Sequence, residues 1–142
     1  MILIDANLLL YAYDEGSRHH VASRRWLEDV LGGREPVRFA WVTLWAFIRI
    51  ATNSRILSRP LSGAEAHAIV VSWLDQPNAD VLEPGERHLE ILGSLLRDGQ
   101  ATADLVPDAA LAAVALEHGA TLCSMDRDFA RFDGLLWTNP IV

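Results

Sequence analysis

Met1-Ile2-Leu3-Ile4-Asp5-Ala6-Asn7 opens the chain with an unbroken apolar run that stops at an acid. Such a run reads as a strand buried on both faces, with Asp5 at its carboxyl end. Strands of that kind belong to parallel sheets covered by helices, and the remaining sequence supplies both elements. Ala6–Tyr13 reads as a helix. A second runs from an N-cap at Ser17 to Gly32-Gly33, with Val21, Trp26, Leu27, Val30 and Leu31 on one side. Val37–Ala40 follows as a short strand. Trp41–Asn53 is helical, with Trp41, Leu44, Trp45 and Ile48 as its apolar stripe. Ser62-Gly63-Ala64-Glu65 is a capping box. It opens a helix that turns Ala66, Ile69, Val70 and Trp73 inward and ends at Gln76-Pro77. Ala79–Leu82 is the next strand, and Pro84-Gly85 turns into a helix reaching Arg97 with Leu89, Leu92 and Leu96 inside. Asp98–Asp104 is loose and polar. Pro107 suits the first position of a helix that runs to His118 and is closed by Gly119. Thr121–Ser124 is a buried strand, and Leu135–Trp137 reads as a last one. Helices alternating with strands predict an α/β fold with a mainly parallel sheet. No repeat, linker or composition shift divides residues 1–142, so one domain is expected.

The 142 residues are 51% hydrophobic and 22% charged, enough apolar material to bury a core rather than leave the chain disordered. No apolar run approaches the roughly 18 residues of a membrane span. Asp5 cuts the opening run, and no basic flank precedes it, against an ordinary signal peptide. A cytoplasmic protein without membrane contact is expected. The single cysteine, Cys123, excludes an intrachain disulfide and a multi-cysteine zinc site. Acids outnumber bases 19 to 12 for a net charge of −7, and every base is arginine. A phosphate-loop lysine, a Schiff-base lysine and a lysine general base are therefore excluded. Haloacid-type and receiver-type phosphotransfer domains also begin with a strand and an aspartate, but they need a lysine after a later strand. A net acidic chain is a poor non-specific nucleic-acid binder. It acts on nucleic acid where metal ions invert the local charge.

In parallel sheets, ligands collect beyond the carboxyl ends of the strands. Three acidic positions meet that rule: Asp5; Asp108, with Asp104 just before it; and Asp126 with Asp128. Each has an ordinary explanation alone. Asp108 suits the first turn of a helix, Asp126 a turn, Asp128 an N-cap for Phe129–Phe132, and Asp104 a solvated loop. Together they are harder to dismiss, because crowded carboxylates repel and raise one another's pKa. A hard divalent cation such as Mg2+ or Mn2+ is the usual reason to tolerate the crowding. The five histidines lack metal-ligand spacing, Cys123 reads as a small core residue, and no glycine-rich phosphate loop or Gly-x-Ser-x-Gly turn occurs. The tryptophans read mostly as core, with a Trp41–Trp45 pair as a candidate dimer contact.

Five segments carry a family resemblance in order: Ile4-Asp5-Ala6-Asn7, Trp45–Asn53, Arg59-Pro60-Leu61-Ser62 with Trp73–Pro77, Pro107–Ala113, and Ala120–Phe129. The chain resembles the PIN-domain nucleases, and more closely the VapC-type toxins of bacterial toxin–antitoxin pairs. The resemblance implies a three-layer α/β PIN-like fold whose mainly parallel central sheet is flanked by helices. It implies a metal-dependent endoribonuclease using Mg2+ or Mn2+, with in-line attack of water on a phosphodiester of cellular RNA. Carried over by position, Asp5, Asp108 and Asp126 are the catalytic, metal-holding acids. Asp128, Asp104, Arg49 and Asn7 are auxiliary candidates.

The sequence departs from the family pattern at one place. Ala46 stands where a glutamate usually precedes the Phe-x-Arg of the third helix. Two readings stay open: an active nuclease in which Asp104 supplies the missing charge, and a PIN-like module that binds RNA or a partner without cutting. Arg49 and Asn53 share the helical face of Ala46, so Arg49 either reaches the pocket or pairs to fix the helix. The expected partners are a VapB-like antitoxin with a basic segment, the RNA substrate and a second copy of the chain. Candidate dimer contacts are Trp41, Trp45 and the helix of Trp73.

Overall fold

The computed structural model describes residues 1–142. In chain order the elements are β1 (Ile2–Ile4), α1 (Ala6–Tyr13), α2 (His20–Leu31), β2 (Val37–Ala40), α3 (Trp41–Ala51), α4 (Gly63–Leu74) and β3 (Ala79–Leu82). There follow α5 (His88–Asp98), α6 (Val106–His118), β4 (Thr121–Cys123) and β5 (Trp137–Thr138), with short 3₁₀ segments at Ala103–Leu105 and Arg127–Arg131. The five strands form one sheet in the order β3-β2-β1-β4-β5, and every pairing is parallel. The expected α/β architecture is therefore what forms. No helix is long and apolar enough to cross a membrane.

Three layers follow from the alternation of β1. Ile2 and Ile4 point into a core with Leu8 and Leu9 of α1, Leu27 of α2, Phe47 of α3 and Trp73 of α4. Leu3 points the other way, against Leu95 of α5 and Ala109, Ala112 and Ala113 of α6. A strand between two apolar layers has no polar face, which is why its sequence runs without alternation. Trp73 sits at the centre of the first core, stacked 5.6 Å from Phe39 and edge-on 4.7 Å from Phe47. Its indole N–H donates to the Tyr13 hydroxyl at 3.2 Å, so the buried polar atom is satisfied.

β1 pairs with β2 on one side and β4 on the other, so the connections leaving β1 and returning to it diverge there. A switch point of that kind, at the carboxyl edge of the sheet, is where such folds bind ligands. Asp5 follows β1 there and Asp126 follows β4.

Several expectations differ in detail. Helix α2 starts at His20, and Ser17 instead accepts from the His19 amide in the preceding turn. Val21 is 68% exposed, while Ser23 takes the buried place. Helix α3 ends at Ala51, so Asn53 lies beyond it and does not extend the face of Ala46. Its inward side is Thr43, Leu44, Phe47 and Ala51, leaving Trp41 and Trp45 exposed. This helix is apolar almost all round, so spacing alone could not choose the side that packs. In α5 the buried leucine is Leu95, and Leu89 is 79% exposed. The last strand is Trp137–Thr138, not Leu135–Trp137. Trp73 is core, so it is not itself a contact for a second chain.

Candidate acidic active site

Asp5 is both the end of a strand and the start of a helix. Its amide donates to the Cys123 carbonyl at 3.0 Å, continuing the β1–β4 ladder. Its carboxylate caps α1, with Oδ1 accepting from the Ala6 amide at 2.7 Å. The other oxygen, Oδ2, accepts from the Ser124 hydroxyl at 2.7 Å. Ser124 is fully buried, and its Oγ also accepts from Asn7 Nδ2 at 3.1 Å and from the Asp126 amide at 3.0 Å. Asn7 Oδ1 in turn accepts from the Met125 amide at 3.4 Å. One buried hydroxyl thus ties Asp5, Asn7 and the turn carrying Asp126 into a single unit.

Asp126, not Asp128, caps the 3₁₀ segment after β4. Its Oδ1 accepts from the Asp128 amide at 2.9 Å. That turn brings Asp128 back beside Asp126, and α6 delivers Asp108 from its first turn. Oxygens of Asp108, Asp126 and Asp128 all lie within 4.8 Å of one another. Asp5 stands next to this closest grouping and within electrostatic reach of Asp126 and Asp108.

The crowding shows in the protonation equilibria. Burial, above all, pushes the Asp108 carboxyl up to about 6, and the charges of Asp126, Asp5 and Asp128 add to it, while Arg131 opposes them. Asp5 is also raised, again mainly by burial; its bonds from Ser124 and Ala6 work against the shift, and the charge of Asp126 adds to it. A donor set made only of carboxylate oxygens, converging and partly desolvated, fits a hard divalent cation such as Mg2+ or Mn2+ better than a soft one. Positive charge placed there offsets the repulsion that raises Asp108.

The other candidates lie differently. Asp104 is exposed in the 3₁₀ segment before α6 and stands outside the grouped carboxylates. Arg49 is exposed on α3 and makes no ion pair. Ala46 is half-buried on the same helix. Cys123 is buried, and burial pushes its thiol up to about 12, so it is an inert core residue. Two residues escaped the sequence reading. Ser124 looked like the last residue of a buried strand; its signal was a hydroxyl two residues before Asp126. Arg131 was not singled out; its signal was the three-residue spacing from Asp128, with which it pairs at 3.7 Å.

Comparison with known proteins agrees with the geometry. The PIN domain family matches residues 2–135. Ribonuclease VapC37 of Mycobacterium tuberculosis is 46% identical over 140 residues, covering 99% of this chain and 97% of the relative. Ribonuclease VapC33 of the same species is 43% identical over 141 residues, with 99% of each covered. Among solved structures, VapBC2 of Rickettsia felis, bound to a DNA fragment from its promoter, superposes with a TM-score of 0.70 at 17% identity, covering 98% of each chain. VapC20 of Mycobacterium tuberculosis, described as a sarcin–ricin loop cleaving toxin, superposes at 0.64 with 20% identity, covering 92% of this chain and 93% of that one. A parallel sheet in this order, acids gathered at its carboxyl edge and full-length relatives of one kind have a common explanation: the chain belongs to the PIN-domain family, in its VapC branch.

Proposed function

We propose that this protein is an endoribonuclease that hydrolyses RNA at the acidic site and serves as the toxin of a toxin–antitoxin pair. The observation that carries the reading is the convergence of Asp108, Asp126 and Asp128 beside Asp5 at the switch point of the sheet. Relatives named ribonuclease along their whole length support the substrate class. Asp108, Asp126 and Asp128 would hold the divalent cation, with the charge of Asp5 beside them. When bound, Mg2+ or Mn2+ supplies the positive charge that polarises the phosphodiester for in-line attack by water. The chain's own contribution is placement. Ser124 and the Ala6 amide fix both oxygens of Asp5, and the Asp128 amide fixes Asp126. Pre-set carboxylates need no reorganisation as charge develops on the phosphate. No lysine exists to neutralise a leaving oxygen, so that charge has to be met by the cation or by arginine.

The second reading, a module that binds RNA without cutting, rests on Ala46, which brings no carboxylate from α3. A cleavage assay with Mn2+ or Mg2+ decides between them. Cleavage abolished by EDTA and by either Asp5→Asn or Asp108→Asn supports the nuclease. Undiminished cleavage by both variants refutes the proposed site. The partner is a VapB-like antitoxin whose basic segment is drawn to a chain of net charge −7. Structural neighbours described as toxin–antitoxin complexes support that partner. A homodimer forms through the exposed Trp41, Val42 and Trp45. A cytoplasmic location suits an enzyme acting on cellular RNA.

A further inference from the structure

The segment between α5 and α6, which leads to Asp108, is held in a constrained shape. Gly99 is buried against the Phe132 ring, and a Cβ there would meet the Leu95 carbonyl at 2.7 Å and Phe132 at 3.0 Å. Gln100 and Ala103 both adopt φ of 51°, the left-handed region that residues with side chains rarely enter. Such conformations persist when the surrounding contacts over-determine them. One of those contacts comes from the 3₁₀ segment after β4. Arg131, at the end of the 3₁₀ segment that carries Asp128, donates from one terminal nitrogen to the Gly99 carbonyl at 3.1 Å. Its other terminal nitrogen stands 3.7 Å from Asp128 Oδ1. Its charge also faces Asp108. None of Asp5, Asp108 or Asp126 enters an ion pair, so Arg131 is the one cation paired within the cluster.

We propose that Arg131 is a positioning residue of the acidic site: its guanidinium bridges Gly99 and Asp128, locking the 99–105 segment to the turn of Asp126 and Asp128 so that the carboxylates stay convergent. The inference rests on the metal reading given above and adds the residue that sets the cluster's geometry. The guanidinium hydrogen-bonds the Gly99 carbonyl from one nitrogen and sets its charge beside Asp128 from another, whereas a lysine ammonium offers one point charge for both. Charge and bridging can therefore be separated. A simple counter-charge would compete with a bound cation, and removing it would tighten metal binding. A positioning bridge acts in the opposite sense, and losing it weakens metal binding.

The test uses Arg131→Lys, which keeps the charge, and Arg131→Met, which keeps the aliphatic stem alone. Calorimetric titration with Mn2+ alone is expected to show both variants weakened about tenfold or more, the scale typical of residues that orient metal ligands. Single-turnover RNA cleavage by Arg131→Lys should recover at saturating Mn2+, which general damage to the fold would not allow. Hydrogen exchange in EDTA should show amides of the 99–105 segment opening about tenfold faster in both variants, with the β1 and β4 amides unchanged. Mn2+ binding by Arg131→Met equal to or tighter than wild type overturns the proposal, as does wild-type affinity in Arg131→Lys. If the wild type itself binds no Mn2+, the metal reading fails instead. The exchange experiment then decides the bridge alone, and unchanged exchange in both variants refutes it. If Arg131→Met does not fold, Arg131→Lys carries both measurements.

Discussion

Replacing Ser124 with alanine removes one oxygen and three hydrogen bonds. The hydroxyl donates to Asp5 at 2.7 Å and accepts from Asn7 at 3.1 Å and the Asp126 amide at 3.0 Å. A bond to an ionised carboxylate contributes about 1.5–3 kcal/mol and a neutral one about 0.5–1.5 kcal/mol. The three share an atom and are not additive, so a loss of about 2–3 kcal/mol near pH 8 is expected. The loss depends on pH. Ser124 is the strongest influence holding the Asp5 carboxyl down against its burial, so the variant's Asp5 titrates still higher. Once Asp5 is protonated in both proteins, the charge-assisted bond no longer distinguishes them. The destabilisation should therefore shrink as pH falls through the raised Asp5 titration and grow as it rises above it. The assay is urea denaturation in EDTA across this range, with m unchanged. Asn7→Ala, which spares the Ser124–Asp5 bond, should cost about 1 kcal/mol with less pH dependence. A Ser124→Ala protein within about 0.5 kcal/mol of wild type near pH 8, below the worth of a single such bond, would refute the view that this hydroxyl holds the site together.

Asp108, raised to about 6, keeps a proton in the folded state that the unfolded chain releases near its ordinary value. Metal-free stability should therefore fall as pH rises from about 4 through about 6, and Asp108→Asn should remove most of that slope in denaturation curves. Ala46→Glu should tighten Mn2+ binding about tenfold if α3 faces the cation, since each added carboxylate ligand strengthens an oxygen site; Asp104→Asn should weaken it less than Asp128→Asn, and calorimetry on the three ranks the positions. Trp45→Ser, at a residue 64% exposed, should convert dimer to monomer by light scattering without lowering Tm. Cys123, buried with its thiol pushed up to about 12, should react with iodoacetamide only at the rate of unfolding.

β1 and β4 were legible as apolar or β-forming runs, and Val37–Ala40 and Ala79–Leu82 matched their limits although each carries one charged residue. The helix faces were less legible. Val21 and Leu89 occupy helical positions that spacing alone marks as inward, yet both face solvent. Nothing local distinguishes an apolar residue used in packing from one left outside. Asp5, Asp108 and Asp126 were readable because each follows a strand or opens a helix at the same sheet edge. Their supports were not. Ser124 and Arg131 act across 119 and 32 residues of sequence, on Asp5 and Gly99 respectively, and spacing rules do not see contacts that only the folded topology creates.

The middle of the sheet is built from distant parts of the chain. β1 lies between β2 and β4, and its register with β4 joins Ile4 to Cys123. During synthesis β1 emerges before β4 and waits, paired on one side at most, until residues 121–123 leave the ribosome. At about 5–20 residues per second that wait lasts several seconds or more. Over the same interval Asp5 has neither Ser124 nor Asp126 beside it. A nascent chain of this fold therefore cannot gather the candidate acids before β4 has joined β1, and a polypeptide stopped before Thr121 lacks Ser124, Asp126 and Asp128 altogether.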